Sequence, residues 1–353
     1  MLNNNILNRI REQIQNVDGI FVFSKINLRY IFGKEIECYA YITNENVYIL
    51  VYSIYLEEVK RELANDAEII NLSKLEEVKN FKEKIIGKRI GFDPKEITVK
   101  KYNSLKEQFE IDLIEKENIV ENIRAIKNEE ELSYIKKACE ITANAFEYIC
   151  TYIKVGMTEK EVRDELERKM KELGATGLAF DTIVASGSNS SEPHAIPSDR
   201  KIEKEDIVLM DFGCSYNGYA SDMTRTIFVG NATDKQKEIY ELVLKAKRDS
   251  INLIKEYAEA KDIDILIRKY FDEKGLEEKY IHAAGHGVGL EVHENPVINK
   301  NIEYILKENM VLAIEPGIYF ENEFGIRIED TVLVTKEGVE ILTKNAIDSI
   351  ILV

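Results

Sequence analysis

Residues 204–213 read "KEDIVLMDFG" and residues 307–317 read "KENMVLAIEPG", two versions of one segment in which an apolar run ends on an acidic residue shortly before a glycine. The second version has gained one residue, so Asp211 corresponds to Glu315. Downstream, "SDMTRTIFVG" (221–230) aligns with "RIEDTVLVTKEG" (327–338), which matches Asp222 to Glu329 and Thr224 to Thr331. Self-similarity of this kind marks a duplicated supersecondary unit. Two copies can pack about a pseudo-twofold axis, and carboxylates from each then meet where the sheets face. Alternate side chains of a strand share a face, so Asp222 points with Thr224, and Arg327 with Glu329 and Thr331. Arg327 is thereby placed to pair with a neighbouring carboxylate.

The helical signals upstream repeat in the same order. Asn128 with Glu131 caps a helix whose apolar face runs through Leu132, Ile135, Cys139, Thr142 and Phe146. Thr158 and Glu161 form a capping box, Val162, Leu166 and Met170 line one face, and Gly174 stands at the C-cap. In the second copy Thr233 and Gln236 cap a long helix, and Asp262 starts a shorter one with Ile265, Leu266 and Tyr270 available for burial, closed by Gly275.

Between the two copies' strands lies "GHGVGLEVHE" (285–294), where His286 is flanked by glycines that allow close backbone approach. Asp211, Asp222, His286, Glu315 and Glu329 supply four carboxylates and one imidazole, the donor set of a site for two divalent cations. Without cations, that convergence is self-repelling. The oxygen-rich set favours manganese, with cobalt or zinc as alternatives. Of the other histidines, His194 lies in the Pro- and Ser-rich loop "SSEPHAIPSDR", a setting for a functional side chain, and His293 follows His286 by one strand length. His282 has the weakest claim. A P-loop is excluded by the missing Lys-Ser/Thr pair, a zincin by the missing second His at helical spacing, and a nucleophilic Ser or Cys by the absence of an elbow motif or a nearby His partner.

The chain has 353 residues, 44% hydrophobic and 32% charged, which fits an ordinary globular protein of two domains. A net charge of -16 speaks against nucleic acid and against anionic membrane surfaces. The apolar run "VYILVYSIYL" (47–56) is too short to span a bilayer and reads as a core strand. The amino terminus lacks the features of a signal peptide, and Cys38, Cys139, Cys150 and Cys214 share no close spacing; both point to a cytoplasmic protein with reduced thiols. Cys214 reads as a buried thiol beside the oxygen-rich site.

Residues before about 120 alternate strand and helix patterns ("GIFVFS", "CYAYIT", "LEEVKREL", "RIGFD"), which suggests a small α/β domain. Charge rises across 118–127, and the boundary is placed at 122/123, giving domains 1–122 and 123–353.

From residue 193 to 343 the segments "PHA", "DFG", "SDMTRT", "GHGVGLEVHE", "EPGIY" and "RIEDTVLVT" resemble, in order and spacing, the pita-bread metallopeptidases of the Xaa-Pro aminopeptidase and Xaa-Pro dipeptidase (prolidase) branch. "NLRYIFG" (27–33) looks like a recurring motif of the family's creatinase-type N-terminal domain. The resemblance implies an α+β pita-bread C-terminal domain with an internal pseudo-twofold duplication, preceded by that smaller α/β domain. It also implies that Asp211 chelates one metal, that Asp222 and Glu329 bridge both, and that His286 and Glu315 complete the second. Glu315, His194 and His293 would be the catalytic side chains, with Thr224 and Arg327 supporting the ligands. The implied reaction is hydrolysis of the bond preceding proline in a small peptide, by a homodimer. Because Val297 stands where relatives of the dipeptidase type carry a basic residue, release of the N-terminal residue from longer Xaa-Pro peptides ranks first and dipeptide hydrolysis second. A non-catalytic peptide-binding protein on the same fold ranks below both.

Overall fold

The computed structural model describes residues 4–63, 66–344 and 353, and the chain divides into two compact units between Arg124 and Ala125. In the first, six strands form one mixed sheet in the order Glu68–Asn71, Val47–Val51, Tyr39–Ile42, Gly19–Val22, Arg89–Phe92, Asp112–Glu115. Gly19–Val22 and Val47–Val51 each run antiparallel to Tyr39–Ile42, the former after the intervening helix Lys25–Phe32 and the latter by a hairpin, and the other three neighbouring pairs are parallel. Tyr41, Tyr48, Phe81 and Phe109 meet in the core as an aromatic chain with ring centroids 5.5–6.1 Å apart. The apolar run at 47–56 is a strand only through Val51. From there the backbone turns through Ser53–Tyr55 into the helix Leu56–Leu63, leaving Ile54 81% exposed. Asn27–Gly33 lies mostly on the helix Lys25–Phe32, with Gly33 left-handed at its C-cap.

In the second unit the helices Glu129–Tyr152, Glu159–Glu172 and Asp234–Ile251 all open with complete capping boxes at the expected residues. The helix expected to begin at Asp262 instead begins at Ala260, and its buried face is Ala260, Ile263, Ile267 and Phe271. Ile265 is consequently 46% exposed, because one stripe of a helix faces the core and Ile265 falls outside it.

The duplicated segments form the centres of two sheets. Strand Ile207–Phe212 lies between Met223–Phe228 and Ile183–Ser186, and Val311–Ile314 lies between Asp330–Val334 and the short strand Gly285–Gly287. The registers differ: Asp211 faces Thr224 in the first copy, whereas Thr331 faces Ala313 in the second, two residues short of Glu315. An even shift keeps the same side chains on the same face, so the duplicated pattern survives it.

The copies join directly. Glu329 N donates to Thr224 O (3.0 Å), Thr226 Oγ1 to Arg327 O (2.9 Å) and Thr331 Oγ1 to Asp222 O (2.6 Å). His286 sits in a strand squeezed between two others. A Cβ on Gly285 would land on the Ala313 carbonyl oxygen, and one on Gly287 on that of Asn295. Glycine at both flanks is what allows the imidazole this position.

Candidate metal centre

Where the two copies meet, the ligand atoms of Asp222, His286 and Glu329 all lie within 4.8 Å of one another, and all three residues are buried. His286 Nε2 is 3.6 Å from both Asp222 Oδ2 and Glu315 Oε1, which brings Glu315 into the group. Asp211 joins through Arg327, whose NH2 is 2.6 Å from Asp211 Oδ2. The five residues singled out in the sequence therefore converge.

Two members of the cluster are oriented by neighbours, and two of its oxygens are left open. His286 Nδ1 is 3.1 Å from the Gly287 carbonyl oxygen, a bond that places its proton there and leaves the Nε2 lone pair facing the carboxylates. Thr224 Oγ1 donates to Glu329 Oε2 at 2.7 Å, and the remaining oxygen, Oε1, is buried without a hydrogen-bond partner among the described residues. Asp211 Oδ1 is in the same condition. Buried carboxylate oxygens with no donor are costly, and a cation is what such atoms accept.

Charge balance points the same way. Burial first, and then Glu329, Asp211 and Glu315, push the Asp222 carboxyl well above its usual range; burial followed by Asp211 and Glu315 does the same to Glu329. Burial raises Glu315 to about 7, against the opposing pull of Arg327. Burial, with His293 beside it, holds His286 down to about 4, so this imidazole is neutral and able to ligate near pH 7. Four carboxylates, one neutral imidazole and two unsatisfied oxygens fit divalent cations.

Arg327 also donates from Nε to Thr224 Oγ1 (3.1 Å), from NH1 to Tyr319 Oη (2.6 Å) and from NH2 to Pro193 O (3.2 Å). His194, exposed in the loop after Pro193, is close enough to act electrostatically on both His282 and His293. The His293 ring meets His286 edge-on at 4.2 Å, made possible by an irregularity in strand register between His286 and Gly287. Cys214 is buried, its thiol 3.4 Å from Ala138 O, and burial pushes its pKa upward; it faces the helix and not the carboxylates.

Sequence reasoning passed over several members of this neighbourhood. His282, the weakest candidate, is held edge-on by Tyr280 and Tyr319, with Nδ1 on Ala283 O (2.8 Å) and Nε2 on Tyr319 Oη (3.1 Å). Tyr319 thus accepts from Arg327 and donates to His282, and it stands within the quoted "EPGIY" although no role was evident for it there. Next to Glu329, the buried Asp330 pairs with Arg225 (2.6 Å) and Lys247, and accepts from Thr343 Oγ1 (2.7 Å). Arg225 also donates to the main-chain carbonyl of Glu329. Tyr319→Phe is expected to lower stability by about 1–3 kcal/mol, because it leaves an Arg327 donor and the His282 acceptor without their partner. A reduced urea midpoint with unchanged slope checks this.

Residues 133–336 match metallopeptidase family M24, and residues 6–126 match the creatinase/prolidase N-terminal domain. The chain belongs to family M24. This M24 metallopeptidase has the pita-bread catalytic domain of its family, which follows a creatinase-type domain in the sequence. It is 38% identical over 336 residues to an Xaa-Pro dipeptidase of Pyrococcus furiosus, covering 93% of this chain and 94% of that protein. Among solved structures it is similar to an Xaa-Pro dipeptidase from Bacillus anthracis, with TM-score 0.91 and 35% identity over 99% of each chain. It is also similar to an X-Pro aminopeptidase from Thermotoga maritima, with TM-score 0.88 and 33% identity over 98% of this chain and 99% of that one. The family's chemistry implies divalent metal ions at a cluster of this kind. Among the described residues no helix is long and apolar enough to cross a membrane.

Proposed function

We propose that this metallopeptidase is an Xaa-Pro dipeptidase, hydrolysing the bond that precedes proline in a dipeptide. The observation that carries the reading is the end-to-end likeness to proteins named for that activity, together with a convergent carboxylate and imidazole cluster. Reading the sequence alone puts longer Xaa-Pro peptides first because of Val297, and the relatives reverse that order. The physical reason is that a missing cation removes one attraction for a terminal carboxylate but builds nothing against it. Val297 is moreover a single, 42% exposed position. The likeness to the Thermotoga maritima aminopeptidase supports release of an N-terminal residue as the second reading.

Asp211, Asp222, His286, Glu315 and Glu329 would hold two divalent cations, which when bound polarise the scissile carbonyl and make water nucleophilic near neutral pH. Manganese suits the oxygen-rich donors, with cobalt and zinc as alternatives. Glu315 carries the proton from the attacking water to the departing proline nitrogen, a relay that a carboxylate within 3.6 Å of the His286 ring at the centre of the cluster is placed to perform. His293 faces the developing oxyanion, and His194 orients the substrate. Thr224 and Arg327 hold Glu329 and Asp211 in place. A homodimer in the cytoplasm completes the reading; four cysteines without disulfides support the location, and light scattering tests the assembly.

The deciding experiment compares kcat/KM for an Xaa-Pro dipeptide with that for the same peptide extended by one residue, on protein reconstituted with manganese, cobalt or zinc. The dipeptide is expected to be favoured by about 10-fold or more, the discrimination one misfitting group commonly brings. The reverse preference selects the aminopeptidase reading. Turnover that is indifferent to chelator would sink the mechanism.

A further inference from the structure

Glu159 opens the helix Glu159–Glu172 and is fully buried, yet the groups that donate to its carboxylate are all neutral and all come from one segment of chain. Oε1 accepts from Ser186 N (2.6 Å), Ser186 Oγ (2.8 Å) and Asn189 Nδ2 (3.1 Å). Oε2 accepts from Ser198 N (2.9 Å), Ser198 Oγ (2.7 Å) and, at 3.2 Å, the same Asn189 amide. Ser186 is the last residue of the strand Ile183–Ser186, and His194 lies between it and Ser198. One carboxylate therefore holds both ends of the loop that carries His194.

The middle of the loop is tied separately to the metal-centre side. Gly325 N donates to Ser190 Oγ (2.9 Å), and Arg327, the residue that holds Asp211, donates to Pro193 O (3.2 Å). With its ends fixed by Glu159 and its centre by Arg327, the loop has little freedom in where it presents His194.

The chemistry explains why a carboxylate stands here. Two carboxylate oxygens offer about four acceptor directions and no donor, which suits a ring of hydroxyl, amide and main-chain N–H groups. Bonds to an ionised acceptor are also stronger than neutral ones. Gln at this position would turn an NH2 toward groups that are themselves donors. An apolar side chain of similar size could fill the space, but it would not fix the separation of Ser186 from Ser198. Burying a charge merely to fill a core is unfavourable. The fixed loop geometry is what such a residue offers in return.

We propose that Glu159 is a positioning residue which staples the 186–198 loop at both ends and thereby sets His194 against the substrate. The proposal rests on His194 being the substrate-orienting side chain. Its effect should therefore pass through His194, which a purely structural role would not require.

The test combines hydrogen exchange with a double-mutant cycle on the full-length, metal-loaded protein. In Glu159→Gln, peptides within 186–198 should exchange faster while bound metal stays at the wild-type level. The kcat/KM for an Xaa-Pro dipeptide should fall by about 10- to 100-fold, mainly through KM, as expected when a positioning contact is lost. In a His194→Ala background the same substitution should cost little further, because coupled residues are non-additive. Ser198→Ala should reproduce the effects in weaker form and serves if Glu159→Gln does not fold. Unchanged exchange in the loop would overturn the staple. A full additional loss in the His194→Ala background, or a His194→Ala variant as active as wild type, would overturn the route through His194. If the wild-type protein cleaves no Xaa-Pro peptide, the substrate reading fails by itself, and the exchange result still decides whether Glu159 holds the loop.

Discussion

Asp222→Asn is expected to abolish turnover while making the metal-free protein more stable. Asp222 is buried beside Glu329, Asp211 and Glu315, and the cationic side chain that opposes them is Arg327. Without metal the native site must either keep protons on these carboxylates or hold like charges together, and both weaken the folded state at pH 8. The isosteric amide removes one of the charges and should add on the order of 1–3 kcal/mol to the stability of the metal-free chain. Catalysis moves the other way. If Asp222 is one of the residues that hold the cations, its loss weakens their binding, and a two-metal site lowers the barrier by several kcal/mol. A fall of about 10³-fold or more in kcat/KM follows. Thermal unfolding with chelator and with added manganese provides the check. The variant should unfold above wild type in chelator and below it in manganese. A variant less stable than wild type in both, or one that retains a tenth of the activity, would remove Asp222 from the ligand set.

The opposite signs come from a feature that the sequence displays openly. Asp211 and Glu315 end matching apolar runs, and Asp222 and Glu329 begin matching β-rich segments, so their convergence follows from the duplication before any contact is known. The two-residue difference in register between the copies did not disturb it, because an even shift preserves faces. Local pattern also placed the capping boxes at Asn128, Thr158 and Thr233. It placed Cys214 as a buried thiol.

What escaped are residues whose roles exist only in three dimensions. Glu159 stands in the sequence as an ordinary first-turn acid, and its loop partners lie far along the chain. Asp330 adjoins a candidate ligand, but its partners Arg225 and Lys247 belong to another strand and a helix, and nothing local to Lys247 distinguishes it from the exposed lysines of that helix. Tyr319 gains its role from Arg327 on one side and His282 on the other. The phase error at Ile265 has a different origin: three apolar residues in a row leave the buried face undecided until the helix is docked.

In the metal-free protein, stability should fall as pH rises above about 6.5, and divalent metal should reverse that trend. Two sets of groups compete. His286 and His282 have folded pKa values near 4, below the usual 6.5, chiefly because both are buried. Between those limits the unfolded chain binds more protons at these positions, so their contribution grows as pH rises toward 6.5 and is lost as pH falls through 4. Glu315 is raised from 4.5 to about 7, and Asp222 and Glu329 are raised well above their usual values. For these carboxylates the native state binds more protons than the unfolded chain. Their contribution is present below the unfolded pKa and is lost as pH rises through the folded one. From pH 4.5 to 6.5 the two sets oppose each other. By about pH 7.5 the histidines have nearly finished titrating in both states and the carboxylates set the trend, with the buried thiols, whose pKa values are also raised, acting in the same direction as pH nears 9. Each carboxylate that is still deprotonating then removes up to about 1.4 kcal/mol of stability per pH unit. Metal must displace those same protons to bind, so at pH 7 its uptake should release on the order of two protons per chain and should tighten steeply with pH. Calorimetric titration of manganese in buffers of different ionisation enthalpy counts the protons, and melting curves from pH 5 to 9 with and without chelator give the trend. A metal-free melting temperature that climbs steadily from pH 6.5 to 9, or metal uptake with no proton release, would mean that these carboxylates do not share a buried site.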